Sequence, residues 1–168
     1  APDNLPCPAY ELLSSKKSLP VLTARGCPFK CTYCASSVLN PVFTKQDPIK
    51  VADEISYWAQ HENTKDFAFY DDALLFDAET HAIPLFNEII KRKLAVRFHA
   101  PNGLHIRYIT EQVADLMMQA GFKTIRLGLE TSDPDMQKAT GGKVTTEDFI
   151  SAAGALTKAG FTAQEVGV

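Results

Sequence analysis

Short apolar stretches alternate along this chain with longer amphipathic ones, and that rhythm limits the fold more than any other feature. Residues 18–24 (SLPVLTA), 66–70 (DFAFY), 95–99 (AVRFH) and 123–129 (KTIRLGL) read as strands, and 161–168 read as the start of a fifth. Residues 48–62 place Val51, Ala52, Ile55, Trp58 and Ala59 on one helical face, after the start signal Asp47-Pro48. A second helix over roughly 78–93 turns Leu85, Phe86, Ile89 and Ile90 inward and ends in Lys91-Arg92-Lys93, with Pro84 leaving its start open. A third follows the capping Thr110, carries Val113, Leu116, Met117 and Ala120, and stops at Gly121. A fourth spans about 145–159 and stops at Gly160. The unbroken aromatic run in 66–70 predicts a strand buried on both faces.

Strands alternating with helices form βαβ units, hence an α/β fold with a parallel sheet and right-handed crossovers. The sheet is either open and doubly wound or curved into part of a barrel. In both cases the site lies at the carboxyl ends of the strands. The polar residues collect there. Cysteines follow the first strand, Asp71-Asp72 the second, Asn102-Gly103 the third and Glu130-Thr131-Ser132 the fourth.

Composition excludes some functions. With 45% hydrophobic and 22% charged residues and a net charge of −3, the chain has a globular profile and no bulk attraction for nucleic acid or an anionic membrane. No apolar run reaches membrane-spanning length, and Ala1-Pro2-Asp3 has no signal-peptide character. The cysteine pattern suits a reducing compartment, and the expected location is cytoplasmic. Residues 1–17 read as a linker and 18–168 as the core domain, cut within its fifth strand. Pro6-Cys7-Pro8-Ala9-Tyr10 resembles the tail of such a linker, so the chain is expected to be a piece of a longer protein.

Three of the four cysteines lie in "RGCPFKCTYCAS", spaced C-x3-C-x2-C at Cys27, Cys31 and Cys34. Thiolates bind zinc, copper(I) or iron–sulfur clusters. Structural zinc and electron-transfer clusters each take four ligands. Three thiolates on a four-iron cube leave one iron open for a substrate or cofactor, as a catalytic site requires. The competing reading is a non-catalytic zinc or cluster module completed by Cys7. Gly26 and Pro28 shape the loop, Phe29 and Tyr33 offer apolar cover, and Lys30 offsets an anionic cluster.

This loop resembles the cluster motif of the radical S-adenosylmethionine (radical SAM) superfamily, C-x3-C-x-aromatic-C, at Cys27, Cys31, Tyr33 and Cys34. "HAPNGLHIRYIT", "IRLGLETSDPD" and Pro6-Cys7-Pro8-Ala9-Tyr10-Glu11-Leu12-Leu13 resemble a subgroup that includes cobalamin-binding members. The resemblance implies a truncated partial (β/α) TIM-like barrel of about four and a half βα units. It implies a 4Fe-4S cluster on the three cysteines, S-adenosylmethionine (SAM) on the open iron, a one-electron reductant, a small-molecule substrate, and cobalamin in the parent protein. Tyr33 would pack near the adenine. Asp71 or Asp72 would accept from the SAM ammonium, although Tyr70-Asp71-Asp72 lacks the glycines of the usual Gly-Gly-Glu stretch. Glu130 would accept from the ribose, with Thr131 or Ser132 assisting.

Each residue also has an ordinary structural reading. Asp71-Asp72 would cap a helix, and Glu130 would cap or pair with Arg126. Asn102-Gly103 reads as a turn, and His99 and His105 as packing histidines. Arg107 meets either the SAM carboxylate or a surface acid, with the acid favoured. Met117 and Met118 belong to the core and its neighbourhood. Gly141-Gly142 is a loop without the pattern of a phosphate cradle.

Overall fold

The structure is a computed structural model and describes residues 7–168, so the expectations for Ala1 to Pro6 lie outside the described residues. Five parallel strands form the main sheet: β1 (Ser18–Val21), β4 (Asp66–Phe69), β5 (Arg97–Leu104), β6 (Phe122–Leu127) and β7 (Val166–Gly167), in the spatial order β1-β4-β5-β6-β7. Each new strand joins the same growing edge. With right-handed crossovers, a sheet built in one direction carries its helices on one face. The strand order never reverses, so there is no switch point of the doubly wound kind. The architecture is therefore a partial TIM-like barrel, open at β1 and β7.

The helices between these strands are α2 (Pro48–His61), α3 (Ala82–Arg92), α4 (Glu111–Ala120) and α6 (Thr146–Ala159). Their ends obey the sequence signals. Asp47 caps α2 through Ile49 N, Thr110 caps α4 through Val113 N, and Thr145 with Asp148 forms a capping box on α6. Gly121 and Gly160 end their helices in the left-handed region. A 3-10 turn at Ala78–Thr80 precedes α3, so Pro84 falls in the first helical turn, where a missing N–H breaks no bond.

The strands alternate. Leu19, Val21, Phe67, Phe69, Phe98, Phe122 and Ile125 are buried, whereas Ser18, Pro20, Asp66, Ala68, Arg97, His99 and Thr124 on the other face are not. The buried rings interlock: Phe69 stacks on Phe122 at 5.5 Å between centroids, and Phe86 of α3 meets Phe122 edge-on at 5.3 Å.

Several sequence expectations are corrected. DFAFY is buried on one face only, because the other faces the open interior of the partial barrel, and Tyr70 is 51% exposed. The segment 18–24 is not one strand. After β1 the chain turns, and β2 (Ala24–Arg25) pairs antiparallel with β3 (Thr44–Lys45), framing the cysteine loop and the short helix α1 (Ser36–Leu39). Asn102-Gly103 is not a turn but part of β5, where the register with β6 shifts between Ala100 and Gly103. The fifth strand is only Val166–Gly167, and a further short helix, α5 (Pro134–Ala139), comes after β6, started by Asp133-Pro134 as α2 is by Asp47-Pro48.

Candidate metal centre

The cysteine loop is rooted in a buried polar clasp. Asp71, just past β4, turns its Oδ1 toward the end of β1, where it accepts from Thr23 N (2.9 Å), Thr23 Oγ1 (2.8 Å) and Ala24 N (2.6 Å). Thr23 Oγ1 also lies 2.7 Å from His81 Nε2. Asp71 Oδ2 and His81 Nδ1 are buried without a partner among the described residues. Burial pushes the Asp71 carboxyl up to about 6, against the opposing pull of Thr23 and Ala24. Burial likewise pushes His81 down to about 4. The clasp fixes where the loop departs from the sheet.

Two glycines shape the loop and its surroundings. Gly26 has φ of +80°, and a Cβ there would stand 2.8 Å from Asn40 O and 2.9 Å from Val42 O. Gly141, at φ +116°, lies against the loop, and its Cβ would stand 3.3 Å from Cys31 Cα. Arg107 steadies that glycine loop through Gly142 O (3.0 Å) and also faces Asp148 at 3.5 Å, so its acid partner is the surface one.

Cys27, Cys31 and Cys34 line one cavity of about 320 Å³ together with Phe29, Tyr33, Asp72, His105, Glu130 and Lys143. All three thiols are free. Burial pushes the Cys27 thiol up, a Phe29 backbone hydrogen bond pulls it down, and neighbouring Cys31, Asp72 and Cys34 push it up further. Its thiolate therefore needs positive partners. Among the described residues, no group of three His, Cys, Asp or Glu side chains converges on a single ion. Sulfurs sharing one zinc at about 2.3 Å each must lie within about 4.6 Å of one another. Thiolates holding three irons of a cube each hold a different corner. Three thiols around one cavity give a three-ligand donor set for a bound metal group. Cys7 does not complete the set, for it is exposed and lines a separate groove of about 780 Å³ with Glu54, Tyr57 and Trp58.

The structure divides the other predicted residues. Asp72 and Glu130 reach the cysteine cavity, whereas the Asp71 carboxylate is committed to the clasp. Tyr33 is half exposed, with Lys143 Nζ 5.7 Å from its ring centroid. Glu130 adopts a left-handed φ of +67° and pairs with Lys143 at 2.9 Å, not with Arg126. Thr131 and Ser132 line a second cavity beside Leu127 and Val168 and do not reach the cysteines. His99 stays away from the mouth, bonded to Asp66 (2.9 Å) and Thr124 (3.0 Å).

His105 and Lys143 belong to the site although the sequence marks neither as functional. His105 Nε2 lies 3.8 Å from Cys27 Sγ, and the ring, held down to about 4 by burial and by Lys143, is neutral. Burial disfavours the Lys143 ammonium, but Glu130 and Tyr33 outweigh it and hold it charged. The paired positive-φ glycines before Lys143, at +116° and +62°, were the available signal for a loop making close approach.

A one-directional parallel sheet with a three-thiol loop at its carboxyl edge defines a class: barrel-type α/β proteins with a thiol-lined site at the mouth of the sheet. The radical SAM superfamily matches residues 21–167, and the chain belongs to it. This is a superfamily of enzymes that use a 4Fe-4S cluster and SAM. An uncharacterised methyltransferase of Pyrococcus horikoshii is 28% identical over 169 residues, covering 96% of this chain and 36% of that protein. The methyltransferase TsrM of Kitasatospora setae, solved with tryptophan and an aza-SAM analogue, superposes with a TM-score of 0.74 at 20% identity, covering 87% of this chain and 29% of TsrM. OxsB, a cobalamin-dependent radical enzyme solved with aqua-cobalamin and SAM, gives 0.69 at 20% identity, covering 83% of this chain and 22% of OxsB. The likeness to these two structures is one of fold. The chain spans about a third of the length of the Pyrococcus relative. Among the described residues, no helix is long and apolar enough to cross a membrane.

Proposed function

We propose that this chain is the cluster- and SAM-binding part of a radical SAM enzyme whose whole form transfers methyl groups, with residues 1–17 joining it to a further domain. The observation that carries the reading is the shared cavity of Cys27, Cys31 and Cys34, from which Cys7 is absent. Methyltransfer is supported by the name of the Pyrococcus relative, and a cobalamin partner domain by the OxsB structure.

When bound, the cluster supplies the electron that splits the sulfonium bond of SAM into methionine and a 5′-deoxyadenosyl radical. The chain's own residues hold and orient. Cys27, Cys31 and Cys34 ligate. Asp72 accepts from the SAM ammonium, a charge-assisted bond, while Asp71 keeps the loop in place. Lys143 meets the carboxylate of the same amino-acid moiety. Glu130, freed from Lys143 on that exchange, accepts from the ribose hydroxyls, and Tyr33 covers the adenine. Phe29 and Phe76, edge-to-face at 6.1 Å, exclude water behind the cysteines.

Anaerobic reconstitution with iron and sulfide tests this. A four-iron spectrum that changes on adding SAM and survives Cys7→Ser is expected. A SAM-insensitive spectrum lost with Cys7→Ser would replace this reading with the four-ligand module.

A further inference from the structure

One side chain touching the trio belongs to neither the cysteine motif nor the SAM contacts. His105 sits directly after β5, 8% exposed, with Nε2 3.8 Å from Cys27 Sγ and Nδ1 buried without a partner among the described residues. The cysteine loop itself holds the ring: Phe29, two residues past Cys27, packs edge-on against it at 4.8 Å. The contact is therefore built from both sides and is not a chance approach at the surface.

The partners decide the tautomer. An iron-bound Cys27 is a thiolate, which can only accept. A proton on Nδ1 would bury an unpaired donor and aim the Nε2 lone pair at a negative sulfur. A proton on Nε2 gives the sulfur a donor and leaves only an acceptor unpaired, the less costly arrangement. Hydrogen bonds to cluster sulfurs are one of the means by which a protein sets a cluster's potential.

We propose that His105 is a positioning residue for the cluster: its Nε2–H donates to the Cys27 sulfur, fixes that ligand's direction and raises the cluster's reduction potential, easing the one-electron reduction. This rests on the cluster-binding reading above. The donor withdraws electron density from the ligating sulfur, so the reduced, more negative cluster gains more from it than the oxidised one. Lys143 and Asp72 stand around the same cavity, but neither is in hydrogen-bond contact with Cys27, and His105 is the side chain that reaches its sulfur.

The test is an EPR-monitored redox titration of the reconstituted chain, without turnover. His105→Phe keeps a ring against Phe29 and removes the donor. His105→Gln gives up the ring but restores an N–H. The Phe variant is expected to load its cluster at a more negative midpoint potential than the wild type, with the Gln variant between them. Equal midpoints in all three fully loaded proteins would overturn the proposal. So would a Gln variant shifted as far as the Phe variant, since packing alone would then account for the effect. A wild-type chain that takes up no cluster would instead remove the parent reading.

Discussion

The two faces of the sheet are built on different principles. The helix-facing side is a dry aromatic layer in which Phe67, Phe69, Phe98 and Phe122 are each at most 2% exposed. The carboxyl mouth is assembled from charges, glycines and thiols, backed by a small separate ring group in which Phe29 meets Phe76, Tyr108 and His105. Stability thus comes from the first region and chemistry from the second, and Asp71 is the joint between them. It is buried like a core residue yet spends its hydrogen bonds on the loop that carries the cysteines. The site stays chemically free because its anchor lies below it.

This contrast can be tested by damaging each region separately. Cys34→Ala removes an exposed side chain; cluster uptake should vanish while thermal melting of the cluster-free chain shows a stability within about 0.5 kcal/mol of wild type. Phe98→Ala should do the reverse, costing about 3–5 kcal/mol by chemical denaturation while the surviving folded fraction still loads iron. Asp71→Ala should damage both regions. It strands the Thr23 and Ala24 N–H groups, costs about 2–4 kcal/mol, and speeds amide exchange across residues 23–34. Gly141→Ala, strained at φ +116° and pressed on Cys31, should cost about 1–2 kcal/mol and lower cluster occupancy more than that loss explains.

A further effect is one of pH. Asp71 is raised by burial from 3.8 to about 6, so the folded state favours its protonated form. Its contribution is full below pH 3.8 and is lost as pH rises through about 6. The wild type should therefore lose ground to Asp71→Asn over that interval. His81 works in the opposite direction: lowered by burial from 6.5 to about 4, it adds stability as pH rises through the same range. Denaturation midpoints of the two proteins at several pH values separate these slopes, and parallel curves would detach Asp71 from the effect.

Much of the helix layer was legible because it depends on local rules. Capping side chains, terminal glycines and a 3.6-residue apolar period act within a few residues of one another, and α2, α4 and α6 begin and end close to where those signals place them. The cysteine trio was legible because its spacing is itself local. The cavity wall was not. His105 meets Cys27 across 78 residues, and Gly141 reaches Cys31 only after the sheet has wound round. Asn102-Gly103 misled because a bulge uses the same residue types as a turn. DFAFY misled because Ala68 and Tyr70 on the open face are apolar too, so the alternation with the buried Phe67 and Phe69 does not show in sequence.

The long reach of that wall has a consequence in time. Ribosomes add about 5–20 residues per second, so the thiols emerge about 5–20 s before the Gly141 loop that backs them. During that interval the nascent trio has neither His105 beside it nor a cavity around it. Iron and sulfide delivered then would meet open, oxidisable thiols, which favours loading after the fourth strand and its glycines have been made.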